Sequence, residues 1–249
     1  AVLRGVSDID NTSSNIELQR IIEQSGATLR SIDLLKNNAA LRDVDLLLVI
    51  NPVRSSFAGE KKLIDEYLNT GGSLLLTLDD SGHRPEWMTA ITPIEGVLAS
   101  SKSLGSDWRR SIANPQAMDG LSLPNLNVIM DSVVVFQHPE IAQGVPIHSL
   151  FPISSKDWVE RSPLSSSGPP SFETDDWRGT GSYGVVLDLR NTGSRQAVLG
   201  DGDWLNGAVM QDYPANQMFA SALIGWLLET DTVIDEGRVI LLPRLMITR

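Results

Sequence analysis

Val44-Asp45-Leu46-Leu47-Leu48-Val49-Ile50-Asn51-Pro52 and Gly71-Gly72-Ser73-Leu74-Leu75-Leu76-Thr77-Leu78 are the two stretches that decide the fold. Each is an unbroken apolar run bounded by turn residues, the pattern of a parallel strand buried on both faces. Between them, Leu63, Ile64, Tyr67 and Leu68 recur at helical spacing behind two capping residues, Ser55 and Ser56. Strand, helix and strand joined by short connections imply a parallel sheet with crossover helices. Upstream, residues 2–6 read as a first strand and Asp8, Asp10, Asn11, Thr12 and Ser13 as a loop. Ser14-Asn15-Ile16-Glu17 has capping-box spacing, Leu18, Ile21 and Ile22 share one face, and Gly26 is a stop. Residues 14–25 therefore read as a helix and 27–34 as a strand. These first 80 residues predict an α/β three-layer sandwich with a mostly parallel sheet.

Downstream the pattern loosens. Residues 87–91 and 108–112 read as short helices, broken by Pro85, Pro93, Pro115 and Pro124. Residues 127–130 and 133–136 read as a pair of strands. Residues 154–184, centred on Ser165-Ser166-Ser167-Gly168-Pro169-Pro170, read as a long, mobile surface loop. Residues 185–189 and 196–199 flank Asn191-Thr192-Gly193 as a hairpin. Pro214 opens a helix on which Phe219, Leu223, Trp226 and Leu227 share a face. The reading is one α/β domain over 1–249, with 84–184 as a loop-rich insertion.

Composition narrows the classes of function. The 249 residues are 41% hydrophobic and 20% charged, too apolar for a disordered chain. Twenty Lys and Arg against 31 Asp and Glu leave a net charge of −11. No basic cluster exists to neutralise phosphates, so nucleic acid is not an expected partner, and an acidic surface is repelled by anionic headgroups. Without cysteine, thiolate nucleophiles and Cys-ligated metals are excluded. No run approaches the roughly 20 apolar residues of a membrane span. No phosphate-cradling glycine loop occurs, and no cofactor is expected.

In an α/β sheet, sites collect at the C-terminal ends of strands. Two acidic loops fall there: Asp79-Asp80-Ser81-Gly82-His83, and Asp201-Gly202-Asp203 with Trp204 and Asn206 behind it. Converging carboxylates suit a hard cation, but Asp and Gly also end strands and cap helices, and no metal site is assigned. Asp80, Ser81 and His83, with His138 or His148, hold the residue types of a hydrolytic triad. A serine elbow needs small residues on both sides, and here Asp79 and His83 occupy those places. Trp87, Trp108, Trp158, Trp177 and Trp204 lie in loop-rich stretches and are candidate contacts for a glycan.

Three segments also resemble a known family. The first runs from Leu41-Arg42-Asp43-Val44 to Asn51-Pro52, through Glu60 and Tyr67-Leu68, to Gly71-Gly72-Ser73-Leu74-Leu75-Leu76. The second is His138-Pro139-Glu140-Ile141 with Val145. The third is Val198-Leu199-Gly200-Asp201-Gly202-Asp203-Trp204-Leu205-Asn206, then Asn216 and Trp226-Leu227. Together they resemble the bacterial ABC-type transport auxiliary family of the gliding-motility-associated type. A related membrane-anchored family of unknown function shares the first and last blocks. The resemblance implies a fold similar to class I glutamine amidotransferases, flavodoxin-like in outline, with Asp80 where the catalytic cysteine would fall. It implies a non-catalytic binding domain on the extracytoplasmic face of a bacterial membrane, with an ABC-type permease or other membrane protein as partner. Residues 238–249 would then lead towards an anchor outside this sequence. The alternative is a hydrolase or carbohydrate-binding domain using the two acidic loops.

Overall fold

The computed structural model describes residues 1–7, 15–37, 40–80, 92–104, 107–123, 125–137, 147–161, 170–189, 192–229, 231–235 and 238–242. The first half alternates short strands and helices: β1 (Val2–Leu3), α1 (Ile16–Gln24), β2 (Ser31–Ile32), β3 (Leu46–Ile50), α2 (Ala58–Asn69) and β4 (Ser73–Thr77). The middle holds β5 (Thr92–Pro93), β6 (Val97–Ala99), β7 (Ser103–Leu104), β8 (Asp107–Ala113), β9 (Val128–Asp131), β10 (Phe136–Gln137), β11 (Ile147–Ser149), β12 (Trp158–Glu160) and β13 (Gly181–Ser182). The last part holds β14 (Gly184–Leu189), β15 (Ser194–Leu199), α3 (Gly207–Asp212), α4 (Pro214–Leu227), β16 (Asp231–Asp235) and β17 (Arg238–Leu242).

Seven strands form the main sheet in the order β11-β14-β15-β4-β3-β1-β2. The pairs from β15 to β2 are parallel, while β14 runs antiparallel to both its neighbours. The reversal follows from the tight connection before Ser194, which cannot carry a crossover and so turns β15 back along β14. Every residue of β3 and β4 is buried, as their unbroken apolar runs require. Leu46, Leu48 and Ile50 pack with Leu18, Ile21 and Ile22 of α1 and Phe219 and Leu223 of α4. Leu47 and Val49 face the other way, onto Ile64 and Tyr67 of α2.

The predicted sandwich of class I glutamine amidotransferase or flavodoxin type is therefore corrected. The sheet is mixed, α2 is the one described helix on its second face, and four small antiparallel sheets occupy the middle and end of the chain. Residues 108–112 belong to strand β8, paired with β9 through Ile112↔Ile129, and are not helical. Residues 133–136 do not pair with 128–130; β10 joins β5 and β13 instead. Within 154–184, β12 and β13 are strands with buried Val159 and Ser182, so the expected loop is structured in its described parts. Residues 162–169 lie outside the described residues. The α1 cap is Asn15, whose Oδ1 accepts the Leu18 N–H at 3.1 Å. The α2 entry is fixed by the Glu60 carboxylate, which accepts the Phe57 N–H at 2.8 Å, and neither Ser55 nor Ser56 is its cap. Among the described residues, no helix is long and apolar enough to cross a membrane.

Candidate functional site

At the C-terminal ends of the parallel strands, the chain's own polar groups meet one another. Ser7, Asn51, Thr77 and Asp201 are all buried there. The Ser7 hydroxyl accepts the Ile50 N–H at 3.2 Å. The Asn51 N–H reaches both the Thr77 carbonyl and its hydroxyl at 3.1 Å, and that hydroxyl donates to Asn51 Oδ1 at 2.9 Å. Asn51 sits at φ 42°, a left-handed conformation that Asn tolerates better than most residues. Gly202 lies directly over this latch, and a β-carbon there would overlap Asn51 Oδ1 and Thr77 Oγ1. Among the described residues, these polar groups at the strand ends, where open α/β sheets hold ligands, are bonded to one another or to backbone.

Asp201 is a structural acceptor. Its Oδ2 takes the Asp131 N–H at 2.8 Å and its Oδ1 the Asp203 N–H at 2.7 Å, joining the β15 turn to β9. Complete burial pushes its carboxyl up to about 8, against the opposing pull of those two N–H donors. Trp204 is also buried; its Nε1 donates to the Asp201 carbonyl at 2.9 Å and its ring lies 4.9 Å from that of Phe219. Asn206 caps α3, its Oδ1 accepting the Ala208 N–H at 3.0 Å. The capping residue Asn15 donates from Nδ2 to the Leu205 carbonyl at 2.7 Å, tying α1 to the same turn. Asp203 and Asn206 keep exposed surface, and a recess of about 240 Å³ opens between Arg110, Asp131, Asp203 and Tyr213. Arg110 is held in it by Asp131, at 3.0 Å.

The other acidic loop leaves β4 alongside β15, where the Leu78 N–H bonds the Leu199 carbonyl at 2.8 Å. Asp79 is half-buried and Asp80 exposed. Ser81 and His83 lie outside the described residues, as do Trp87 and His138. His148 lies on the edge strand β11, away from β4, from which this loop leaves. It pairs with Val186, which pairs with Ala197, which pairs with Leu75, three strand spacings or roughly 14 Å across the sheet. Among the described residues no group of three His, Asp or Glu side chains is placed to hold a metal ion.

One side chain in this half has a larger structural part than its sequence suggested. Asn216 on α4 is fully buried and mimics a strand towards β9, its Oδ1 accepting the Ile129 N–H and its Nδ2 donating to the Ile129 carbonyl, both at 2.8 Å. A lone Asn on an apolar helical stretch is the only trace of this in the sequence.

No protein-family model and no curated protein matches the chain. A solved structure described as "mmIFT52 N-terminal domain" is similar in fold, with a TM-score of 0.67 at 12% identity, over 91% of this chain and 96% of that one. At that identity the likeness concerns the fold alone, and it is a likeness for the mixed-sheet architecture described above.

Proposed function

We propose that the chain is a non-catalytic binding domain. In this reading a membrane-anchored bacterial protein presents it on the extracytoplasmic face, as an auxiliary to an ABC-type transport or cell-envelope complex. The observation that supports the non-catalytic part is the latch of Ser7, Asn51, Thr77 and Gly202, whose buried polar groups at the strand ends are already bonded to one another or to backbone. A general base or nucleophile must reach a substrate, and Asp201 is buried with each oxygen accepting a backbone N–H. Buried Trp204 presents no face for a sugar to stack on. The transport part is supported by the three sequence segments that resemble the auxiliary family. The first forms β3, α2 and β4, and the third forms β15, its turn and α4.

The test is purification of the full membrane-anchored protein in mild detergent, with its companions identified by mass spectrometry. The expected result is stoichiometric recovery of a permease and an ATPase subunit. Recovery of the protein alone contradicts the auxiliary reading.

A further inference from the structure

The first of the family-resembling segments meets the end of α4 at the opposite end of the sheet. There, at the N-terminal ends of β3, β4 and β15, lies a recess of about 670 Å³. Its walls come from residues just before β3, from the second half of α2, from Gly71-Gly72, and from the end of α4. Tyr67 fixes the floor, its buried hydroxyl donating to the Ser73 carbonyl at 2.7 Å with the Asp45 carbonyl at 3.0 Å. Gly72 lies against the Tyr67 ring, and a β-carbon there would collide with it. Gly71, at φ 97°, passes so close to the Thr192 carbonyl that a side chain is excluded. The Tyr67-Leu68-Asn69-Thr70-Gly71-Gly72 sequence thus shapes this hollow, apart from ending a helix.

The lining combines apolar and acidic groups. Leu63 and Leu228 are half-buried, with part of each side chain still accessible, beside buried Leu41. Around them stand Asp45, Glu66 and Glu229, against Arg42. Glu66 meets Lys62 at 3.7 Å and Glu229 meets Arg195 at 3.8 Å. The Glu66–Lys62 pair, long and solvated on both sides, is worth little and exchanges easily for an incoming cation, whereas Arg195 is held by the Trp226 carbonyl at 2.6 Å as well. The chain's charge of −11 adds a field that draws cations towards the rim and repels anionic ligands. The hairpin β16–β17 springs from just beyond Glu229 and returns to it, since Asp231 pairs with Leu242.

We propose that this recess is the docking site for a partner-protein segment with apolar side chains and at least one Lys or Arg, the apolar groups on Leu63 and Leu228 and the cation on Glu66. This rests on the binding-domain reading above and names the surface and chemistry of its partner. The volume takes a few side chains, so a short extended segment fits and a folded domain does not.

The probes are two blocked peptides, Leu-Arg-Leu-Leu-Arg-Leu and Leu-Glu-Leu-Leu-Glu-Leu, titrated into the ¹⁵N-labelled chain. The basic peptide is expected to shift the Gly71, Gly72 and Gly193 amides, and the acidic peptide to leave them unmoved. Glu66→Lys, at an exposed site, is expected to keep the fold and weaken the basic peptide by about tenfold. Thr70→Trp fills the recess from its exposed rim and is expected to abolish the shifts. Equal shifts with both peptides, no shifts with either, or an unchanged affinity in Glu66→Lys overturns the proposal. Self-association on light scattering that competes with the peptide assigns the recess to a second copy and also overturns it. Peptide failure leaves the co-purification result standing, and a protein purified alone leaves the peptide result standing, so the two readings fail separately.

Discussion

The two ends of the main sheet are built from similar material to opposite effect. At the C-terminal strand ends, Ser7, Asn51, Thr77 and Asp201 are buried and bonded to one another or to backbone, and Gly202 packs against Asn51 and Thr77. At the N-terminal ends, Asp45, Glu66 and Glu229 stand around an open hollow with apolar walls. Polar residues at the first end hold the fold, and at the second they face solvent and leave room for a ligand. Being in the customary place for a site does not make a loop a site; bonding and burial decide it.

The contrast breaks most readily at Asp201. Asp201→Ala removes the acceptor of the part-buried Asp131 and Asp203 N–H groups and leaves a void in a buried turn, and is expected to cost about 3 kcal/mol in urea unfolding. A loss below roughly 1 kcal/mol would mean that water reaches this turn and the end is open. Gly202→Ala comes next, at about 2 kcal/mol, because its β-carbon must push the Asn51–Thr77 latch apart.

The pH dependence sharpens the same point. Asp201 is held above its ordinary value by burial, so the folded chain keeps a proton that the unfolded chain releases. Its contribution is fully present below about pH 4 and is lost as pH rises through about 8, so stability falls across that window. Glu60 acts in the reverse sense. Burial alone would raise it, but the Arg54 guanidinium and the Phe57 N–H together bring it below the usual carboxylate value. Its contribution is present above about pH 4.5 and is lost as pH falls further. Thermal unfolding of the chain and of Asp201→Asn, from about pH 5 to about pH 9, is expected to show a slope in the first that is reduced in the second. The smallest effect belongs to the open end. Glu66→Ala is expected to change stability by no more than about 0.5 kcal/mol, since its partner Lys62 is distant and solvated.

How far the sequence revealed this depended on the kind of interaction. The apolar runs of β3 and β4 and the 3–4 spacing in α1 and α4 read directly, because burial on a regular element leaves a periodic trace. Strand β8 reads as a helix because Trp108 and Ile112 are four apart, and its alternation is broken by adjacent exposed Arg109 and Arg110. The 154–184 stretch reads as a loop from its Ser, Pro and Gly content, and the carboxylates that tether its described parts leave no pattern against that reading. Asp157 accepts the Ser101 and Ser154 N–H groups at 2.7 and 3.0 Å, and Asp176 accepts those of Arg161 and Glu173 at 3.2 and 2.7 Å. Hydrogen bonds of that sort have no period to detect. At the candidate site, the acidic loops were visible but the burial of Asp201 and Trp204 was not. The recess was invisible, because residues around 42, 66, 72, 193 and 228 meet only through the sheet topology.

The most direct test of the whole account is a hydrogen-exchange comparison of the chain free and in the complex recovered with the full protein. The account predicts slowed exchange at residues 70–73 and 227–229 and no change at 50–51, 77 and 200–204. Protection confined to 200–204, with 70–73 unaffected, would contradict it and return the binding function to the strand-end loops.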